Sequence, residues 1–332
     1  MYLEAYTSIL AVPKEKLEAL FEKKIEEAPR EFVEQGIEPI LDRALKEDVA
    51  LLVVGDAFGA TTHCDLLARA KAKGVPTQCV LNASIMTAVG CCGLQLYRYG
   101  ETVSIPFFTR GWRPDSFYDK TKANALSGLH TLALLDIKVR EPTMASLARG
   151  RPTYLPPRFM SIRQAINQLL ELEQSRGEGV CVESTRAIGL ARVGCVDQLV
   201  VIGTLAELRG VDFGGPLHSM VLVGKAGADE EELLTSFCTP ACDAPRIDAA
   251  AAKAEDQASD RADAAHAGTT YRDPADDDDS DDDEAAATAA ATAGAPQPPT
   301  PTAGSGERMA AGGAADGGKA TADEFLNAFG LD

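Results

Sequence analysis

A short glycine-containing turn after an apolar run is the stretch of this sequence best suited to bind a small molecule. The run Leu51 to Val54 ends in Gly55-Asp56, and Gly59 follows in the same turn. Such a run is typical of a strand buried on both faces of a parallel sheet. Ligands bind beyond the carboxyl ends of these strands, where a carboxylate accepts hydrogen bonds and glycine lets the backbone approach closely. The local pattern fits a plain strand, turn and helix without a ligand equally well.

Histidines and cysteines are the other side chains that could do chemistry. His63 and His130 are candidate proton acceptors, a role that solvent would also serve, and no Ser-His-Asp or Cys-His arrangement accompanies them. Cys238 and Cys242 have no second pair and no nearby histidine to complete a zinc site. We therefore expect no bound metal, and we expect reduced, mostly buried thiols in a cytoplasmic protein.

The elements that must position these residues alternate between strands and helices in the first half of the chain. Strands are predicted at 51–54, 77–81, 102–108 and 130–137, with Ser84 as the cap of a helix that continues through 88–96. Other helices are predicted at 13–35, 37–46, 65–73 and 119–126. This alternation is typical of a parallel α/β layer.

A proline-rich stretch near 138–158 interrupts that alternation and marks a predicted domain boundary. After it, helices are predicted at 160–174 and 230–237, and short strands at 189–194, 198–203 and 218–224. The sequence thus predicts an N-terminal α/β domain at 1–140 and a second α/β domain at 141–242.

Charge is concentrated at the C-terminal end. The chain carries a net charge of −18, and residues 243–332 hold 20 acidic and 6 basic side chains. That segment is rich in Ala, Gly, Asp, Thr and Pro, so we expect residues 243–332 to be a disordered acidic tail. The nearly neutral remainder lacks the basic patch that nucleic-acid binding needs. We also expect no membrane span, signal peptide or transit segment.

Six sequence blocks, in order, carry a family resemblance. They begin at Gly55, Asn82, Ala88, Gly128, Gly189 and Pro216, and include Gly-Asp-Ala-Phe-Gly-Ala-Thr-Thr-His, Asn-Ala-Ser-Ile and Pro-Leu-His-Ser. Together they resemble the diphthine synthases of the eukaryotic type over essentially all of residues 1–243. The resemblance implies the two-domain α/β fold of the tetrapyrrole-methylase-like (class III) methyltransferases, with S-adenosylmethionine bound between the domains of a homodimer.

The resemblance also assigns cofactor contacts to particular positions. It implies that Asp56 and Gly59 form the cofactor turn and that Ser84 and Ile85 lie at a second strand end. Three further contacts are implied at Leu135, Val193 and His218. Leu135 and Val193 would each be interpreted as core residues, and His218 as a structural histidine, without the joint match.

The reaction implied by the resemblance is repeated methylation of a modified histidine on translation elongation factor 2. An amino group becomes trimethylammonium and a carboxylate becomes a methyl ester. Such a displacement needs the nucleophile and the methyl group held within ~3–3.5 Å of each other. It needs no nucleophilic side chain from the enzyme, so no catalytic residue is assigned.

Two departures from the family pattern raise alternatives. Ala57 stands where the family usually has proline. In addition, the family pattern opens with a strand and a glycine loop of about 30 residues, the start of a βαβ unit. We expect this opening to be missing here, because the sequence starts almost at the block that follows it. One alternative is therefore a catalytically impaired paralogue that only binds elongation factor 2. Another is a methylase of the same fold that acts on tetrapyrroles or RNA.

Overall fold

The computed structural model describes residues 1–10, 12–139 and 155–266, the last nine by backbone only. All of them belong to one compact unit, Met1–Thr269. The strands are β1 Tyr2–Glu4, β2 Glu26–Glu27, β3 Leu51–Val53, β4 Val103–Ile105, β5 Thr131–Leu135, β6 Ile137–Lys138, β7 Arg158–Phe159, β8 Arg186–Ala191, β9 Leu199–Thr204, β10 His218–Leu222 and β11 Thr239–Pro240.

The helices alternate with these strands along most of the chain. They are α1 Lys14–Phe21, α2 Arg30–Glu34, α3 Glu38–Ala44, α4 Cys64–Ala72, α5 Ile85–Ala88, α6 Ser116–Leu126, α7 Ile162–Arg176, α8 Leu205–Leu208, α9 Ala228–Phe237 and α10 Ala249–His266. Two short 3-10 helices, Val89–Cys92 and Leu96–Arg98, lie between α5 and β4. None of the helices in the described ranges is long and apolar enough to cross a bilayer.

The first sheet is parallel and has the strand order β2-β1-β3. Tyr2 lies opposite Leu51 and Glu4 opposite Val53, so β1 and β3 end together. Helices α2, α3 and α4 cover this sheet through buried side chains that include Val33, Ile40 and Ala70. The strand predicted from the apolar run at 51–54 is confirmed.

Two predictions for this region are wrong. Residues 77–81 form no strand, and Val80 and Leu81 are 82% and 71% exposed. Apolar composition favours a strand only where a neighbouring strand supplies hydrogen bonds, and no described strand pairs with this segment. The helix predicted at 13–35 divides into α1, β2 and α2. Glu22 ends α1 in the left-handed region, and Pro29 precedes α2.

The second sheet has six strands in the order β11-β9-β8-β10-β5-β4. Strand β10 runs antiparallel to both β5 and β8, while β4–β5 and β9–β11 are parallel pairs. This sheet therefore combines strands from both sides of the predicted boundary near residue 140. The parallel pairing expected through residue 137 is found for β1–β3 and β4–β5, but β5 also pairs antiparallel with β10 from the second half of the chain. The boundaries of the domains themselves stay a prediction.

Side chains alternate between the two faces of this sheet, as strand geometry requires. On β8, Ala187 and Ala191 join one buried cluster, whereas Ile188 and Leu190 join another. The first cluster is closed by α7, which buries five side chains along one face, namely Ile162, Ala165, Ile166, Leu169 and Leu172. A capping box between Ser161 and Gln164 fixes where α7 begins.

The C-terminal segment is ordered further than the composition predicts. Ala244 is buried, and the Ile247 N–H donates to Gly210 O at 3.1 Å. Helix α10 follows, and Arg163 Nη2 lies 2.9 Å from Asp256 Oδ2. The described structure therefore continues past residue 243 to residue 266, where an alanine-rich sequence favours helix. The residue at which the predicted tail begins stays a prediction. Residues 267–332, with the acidic block, lie outside the described residues.

Close packing at Gly189 gives a test of this fold. A Cβ on Gly189 would lie 2.6 Å from Phe213 Cε1 and 2.9 Å from Ile162 Cδ1, in the middle of β8. We expect Gly189→Ala to lower the free energy of unfolding by about 1–3 kcal/mol through overpacking. Denaturant unfolding measures it. Gly111→Ala is the control, since nothing lies within 4 Å of that Cβ. Equal stabilities of the two variants would contradict the packing described here.

Candidate functional site

The turn after β3 is held in place by the carboxylate of Asp56. One carboxylate oxygen accepts a hydrogen bond from the Phe58 N–H at 2.8 Å, and the other accepts from the Asn82 N–H at 2.7 Å. These backbone donors hold the pKa of Asp56 below its usual range. Sequence analysis treated this carboxylate as an acceptor for a ligand. The structure shows that it also joins the turn to the segment that leads into α5.

Gly59 and Ser84 bring the two predicted cofactor loops into contact. A Cβ on Gly59 would overlap Ser84 Oγ and lie 2.6 Å from Ser84 Cβ. Ser84 caps α5, because its Oγ accepts a hydrogen bond from the Met86 N–H at 3.3 Å. The predicted cap is therefore confirmed, and the absence of a side chain at Gly59 has a steric reason. Asp56, Gly59, Ser84 and Ile85 form one group.

The remaining three predicted contacts meet at one end of the six-stranded sheet. Leu135 is the last residue of β5, His218 is the first of β10, and Val193 follows two residues after β8 ends. Because β10 is antiparallel to both neighbours, its first residue lies beside the last residues of β5 and β8. Val193 and Ile85 pack against the same buried cluster, which joins this group to the one around Asp56. The roles of all seven residues in cofactor binding stay a prediction.

His218 has one ring nitrogen ready to accept a hydrogen bond. Its Nε2–H donates to Gly215 O at 3.0 Å, while Nδ1 is buried and has no partner among the described residues. Burial lowers the pKa of His218, so the neutral imidazole is favoured. A buried acceptor that lacks a donor fits a ligand with an N–H group, such as the amino group of adenine. The residues at this end of the sheet therefore fit the cofactor that the family resemblance implies.

The two histidines that were candidate proton acceptors differ in their hydrogen bonding. His130 is fully buried, its Nδ1 accepts from the Gly224 N–H at 3.0 Å, and its Nε2 lies 3.3 Å from Glu230 Oε1. Both of its nitrogens are thus engaged inside the fold. Neither nitrogen of His63 has a hydrogen-bond partner in the described ranges, and Nε2 lies 3.9 Å from Glu4 Oε2.

Sequence reasoning missed Glu4. It is fully buried at the end of β1, although glutamate is almost never fully buried unless it is paired. The available signal was a glutamate within a short mixed segment that could form a strand, but the sequence could not indicate that the segment lies against His63. Among the described residues, no group of three or more His, Cys, Asp or Glu side chains is placed to hold a metal.

Comparison with known proteins identifies the family. A sequence profile for tetrapyrrole (corrin/porphyrin) methylases matches residues 2–209. The diphthine methyl ester synthase of Aspergillus fumigatus is 55% identical over 233 residues, which cover 70% of this chain and 82% of that protein. That of Homo sapiens is 54% identical over 245 residues, with coverage of 72% and 86%. A crystal structure of diphthine synthase matches with a TM-score of 0.61 at 32% identity, and covers 72% of this chain and 85% of that chain.

The fold and the profile first define a class, the α/β methyltransferases with the tetrapyrrole methylase fold. Within that class, the chain belongs to the family of the diphthine methyl ester synthases. The predicted fold class and the predicted methyltransferase activity are therefore confirmed. None of these matches favours either alternative, the binding-only paralogue or the methylase of another substrate.

The contact between the two cofactor loops can be tested by a double-mutant cycle. We expect Gly59→Ala to weaken binding of S-adenosylmethionine at least tenfold, because the new methyl group pushes the turn away from Ser84. Tenfold corresponds to about 1.4 kcal/mol. In a Ser84→Gly background the same substitution should cost much less. Calorimetry measures both affinities, and equal losses in the two backgrounds would contradict direct contact.

The buried histidines predict how stability depends on pH. Burial lowers the pKa of His130 and of His218, so below the ordinary value of about 6.5 the unfolded chain binds protons that the folded chain does not. The free energy of unfolding should therefore fall between pH 7.5 and pH 5.5. Urea unfolding at these two pH values measures the change, and His218→Gln should show a shallower fall. Stability that rises toward pH 5.5 would contradict the shifts.

Proposed function

We propose that this methyltransferase acts on the 3-carboxy-3-aminopropyl histidine of elongation factor 2 and converts it to diphthine methyl ester. The observation that carries the proposal is the meeting of the two loops at Gly59 and Ser84. The neutral, unpaired Nδ1 of His218 lies at the end of the neighbouring sheet. The relatives named diphthine methyl ester synthase support the choice of substrate.

S-adenosylmethionine is the proposed methyl donor. Asp56, Gly59, Ser84 and Ile85 would hold it on one side, and Leu135, Val193 and His218 on the other. When bound, it supplies a methyl group attached to a sulfonium sulfur. After transfer of the methyl group, the sulfur is left as a neutral thioether. The backbone groups of the two loops suit this cation better than lysine side chains would, because carbonyl oxygens and a carboxylate attract positive charge.

The protein's own contribution to the reaction is to position the methyl donor and the acceptor relative to each other. Displacement at a methyl carbon needs the acceptor atom in line with the donor, and holding the two reactants together can supply several kcal/mol of the barrier. The acceptor's carboxylate carries a lone pair at neutral pH and needs no activation. The acceptor's amino group is protonated at neutral pH, so it must lose a proton before each transfer.

Two further properties belong to the proposal. The enzyme is proposed to work as a homodimer in the cytoplasm, as the family resemblance implies. Light scattering of the purified chain measures its mass in solution, and a monomer at micromolar concentration would count against the dimer. The binding-only alternative differs in one decisive respect, since it retains elongation factor 2 but does not bind the methyl donor.

The test measures both the binding of the cofactor and the transfer of methyl groups to the substrate. We expect calorimetric binding of S-adenosylmethionine, and transfer of labelled methyl groups to elongation factor 2 that carries the aminocarboxypropyl histidine. Mass spectrometry of the modified peptide counts the groups added. His218→Ala should weaken cofactor binding without unfolding the protein, because it removes a hydrogen-bond acceptor. Cofactor binding with transfer only to RNA or to a tetrapyrrole would refute the proposed substrate.

A further inference from the structure

A cluster of buried polar side chains lies against the start of α4, and none of the predicted cofactor contacts belongs to it. We call it the Glu4 pocket; its residues are Glu4, Tyr6, Thr7 and His63. Tyr6 Oη and both ring nitrogens of His63 are buried and have no hydrogen-bond partner among the described residues. The two rings meet edge to face with centroids 6.5 Å apart. Since buried polar groups are nearly always hydrogen-bonded, these three atoms indicate that a polar ligand completes the pocket.

Hydrogen bonds from neighbouring residues hold the carboxylate of Glu4 in place. One carboxylate oxygen accepts hydrogen bonds from the Tyr6 N–H at 2.7 Å and the Thr7 N–H at 2.8 Å. The Thr7 hydroxyl donates to the carboxylate at 2.9 Å. The other face of this carboxylate looks toward His63, with 3.9 Å between Oε2 and Nε2. A buried carboxylate held by backbone groups orients a neighbouring imidazole and stabilises a positive charge beside it.

The pocket lies at the same sheet edge as the predicted cofactor turn. Glu4 pairs with Val53 in register, and Gly55-Asp56 follow directly. His63 stands immediately before α4, at the other end of that turn, where Thr61 Oγ1 donates to Ala57 O at 2.5 Å. The carboxyl ends of β1 and β3 therefore place the two sites side by side.

The chemistry of the pocket suits an amine. A carboxylate attracts the cationic form of an amine, and an imidazole with an unoccupied nitrogen can take its proton. Tyr6 is not the proton acceptor, because burial and the Glu4 charge raise the pKa of Tyr6 above its usual range and keep the hydroxyl protonated. His130 is not available either, since both of its nitrogens are engaged.

We propose that His63 is the general base for the amino methylations and that Glu4 is its positioning residue. The inference rests on the proposed function. With Nε2–H directed at Glu4, the Nδ1 lone pair accepts a proton from the acceptor's ammonium group. Tyr6 Oη accepts a hydrogen bond from the same nitrogen and holds it in place.

The step balances without a further reagent. An N–H bond of the ammonium breaks, the proton moves to His63 Nδ1, and the freed lone pair of the amine attacks the methyl carbon. The imidazolium, stabilised by Glu4, then gives its proton to water. The same cycle serves each of the three amino methylations. Formation of the ester does not use it, because a carboxylate has no proton to lose.

The charged and titratable groups around the pocket lie on β1, on α2 and in the segment before α4. Glu4 belongs to β1, Tyr6 follows it, and His63 precedes α4. Arg30 of α2 lies over the Tyr6 ring, 5.3 Å from its centroid, and Glu31 and Glu34 of the same helix also act on Tyr6.

The experiment separates the two kinds of methyl transfer. His63→Gln is assayed at pH 7 in single turnover on two forms of elongation factor 2, one unmethylated and one whose amino group is already trimethylated. We expect the first amino methylation to slow by ~10²–10⁴-fold, and ester formation to stay within about twofold. The amino methylation should recover as the pH rises and the amine loses its proton to solvent. Calorimetric binding of S-adenosylmethionine should be unchanged.

Further variants complete the test. Tyr97→Phe, at a side chain that is 98% exposed, is the matched control for Tyr6→Phe and should behave as the wild type. Glu4→Gln should slow the amino methylations alone, with rescue by Glu4→Asp. Tyr6→Phe should raise KM for elongation factor 2 and leave the pH profile in place. If His63→Gln fails to fold, Glu4→Gln still decides the question through the same comparison.

Equal loss of both kinds of transfer, or loss of cofactor binding, would show that the pocket is only structural and would overturn the inference. Unchanged amino methylation in His63→Gln would overturn it as well. Failure of the proposed function gives a different result, since the wild-type protein would then transfer no methyl group to either form of the factor.

Discussion

Strand β10 is the constraint on which the rest of the structure depends. It pairs antiparallel with β5 on one side and with β8 on the other, so it joins two stretches of chain that are distant in sequence. This pairing sets the register that brings the first residue of β10 next to the last residues of both neighbours. It also forms the sheet whose two faces carry the largest buried clusters. Slippage by one residue would exchange the two faces.

The two loops of the candidate site depend on a second, local constraint. The Asp56 carboxylate binds one backbone N–H in its own turn and another at Asn82, which keeps the two loops together. Gly59 then approaches Ser84 so closely that no side chain fits between them. The Glu4 pocket lies next to this turn and is organised in the same way. Backbone N–H groups hold the Glu4 carboxylate, and the carboxylate in turn lies beside the His63 ring. Carboxylates thus organise both the two loops of the candidate site and the proposed proton acceptor.

Several elements could be predicted because their signals are local. The apolar run before Gly55 predicted β3, the amphipathic spacing after Met160 predicted α7, and Ser84 was correctly interpreted as a helix cap. Other elements depended on contacts that sequence does not display. Residues 77–81 have the composition of a strand but pair with no described strand.

The sequence by itself determined the family and the class of reaction, because the ordered motifs can be identified without knowing the fold. The seven cofactor contacts that the same motifs imply stay a prediction. Only the tertiary structure decided which of the two candidate histidines has ring nitrogens without a hydrogen-bond partner among the described residues. His63 and His130 look alike in sequence, but the fold engages both nitrogens of His130 and leaves those of His63 without a partner among the described residues. The physical reason is that hydrogen-bond satisfaction is a property of neighbours in space, and β1 brings Glu4 to His63 across 59 positions of the chain.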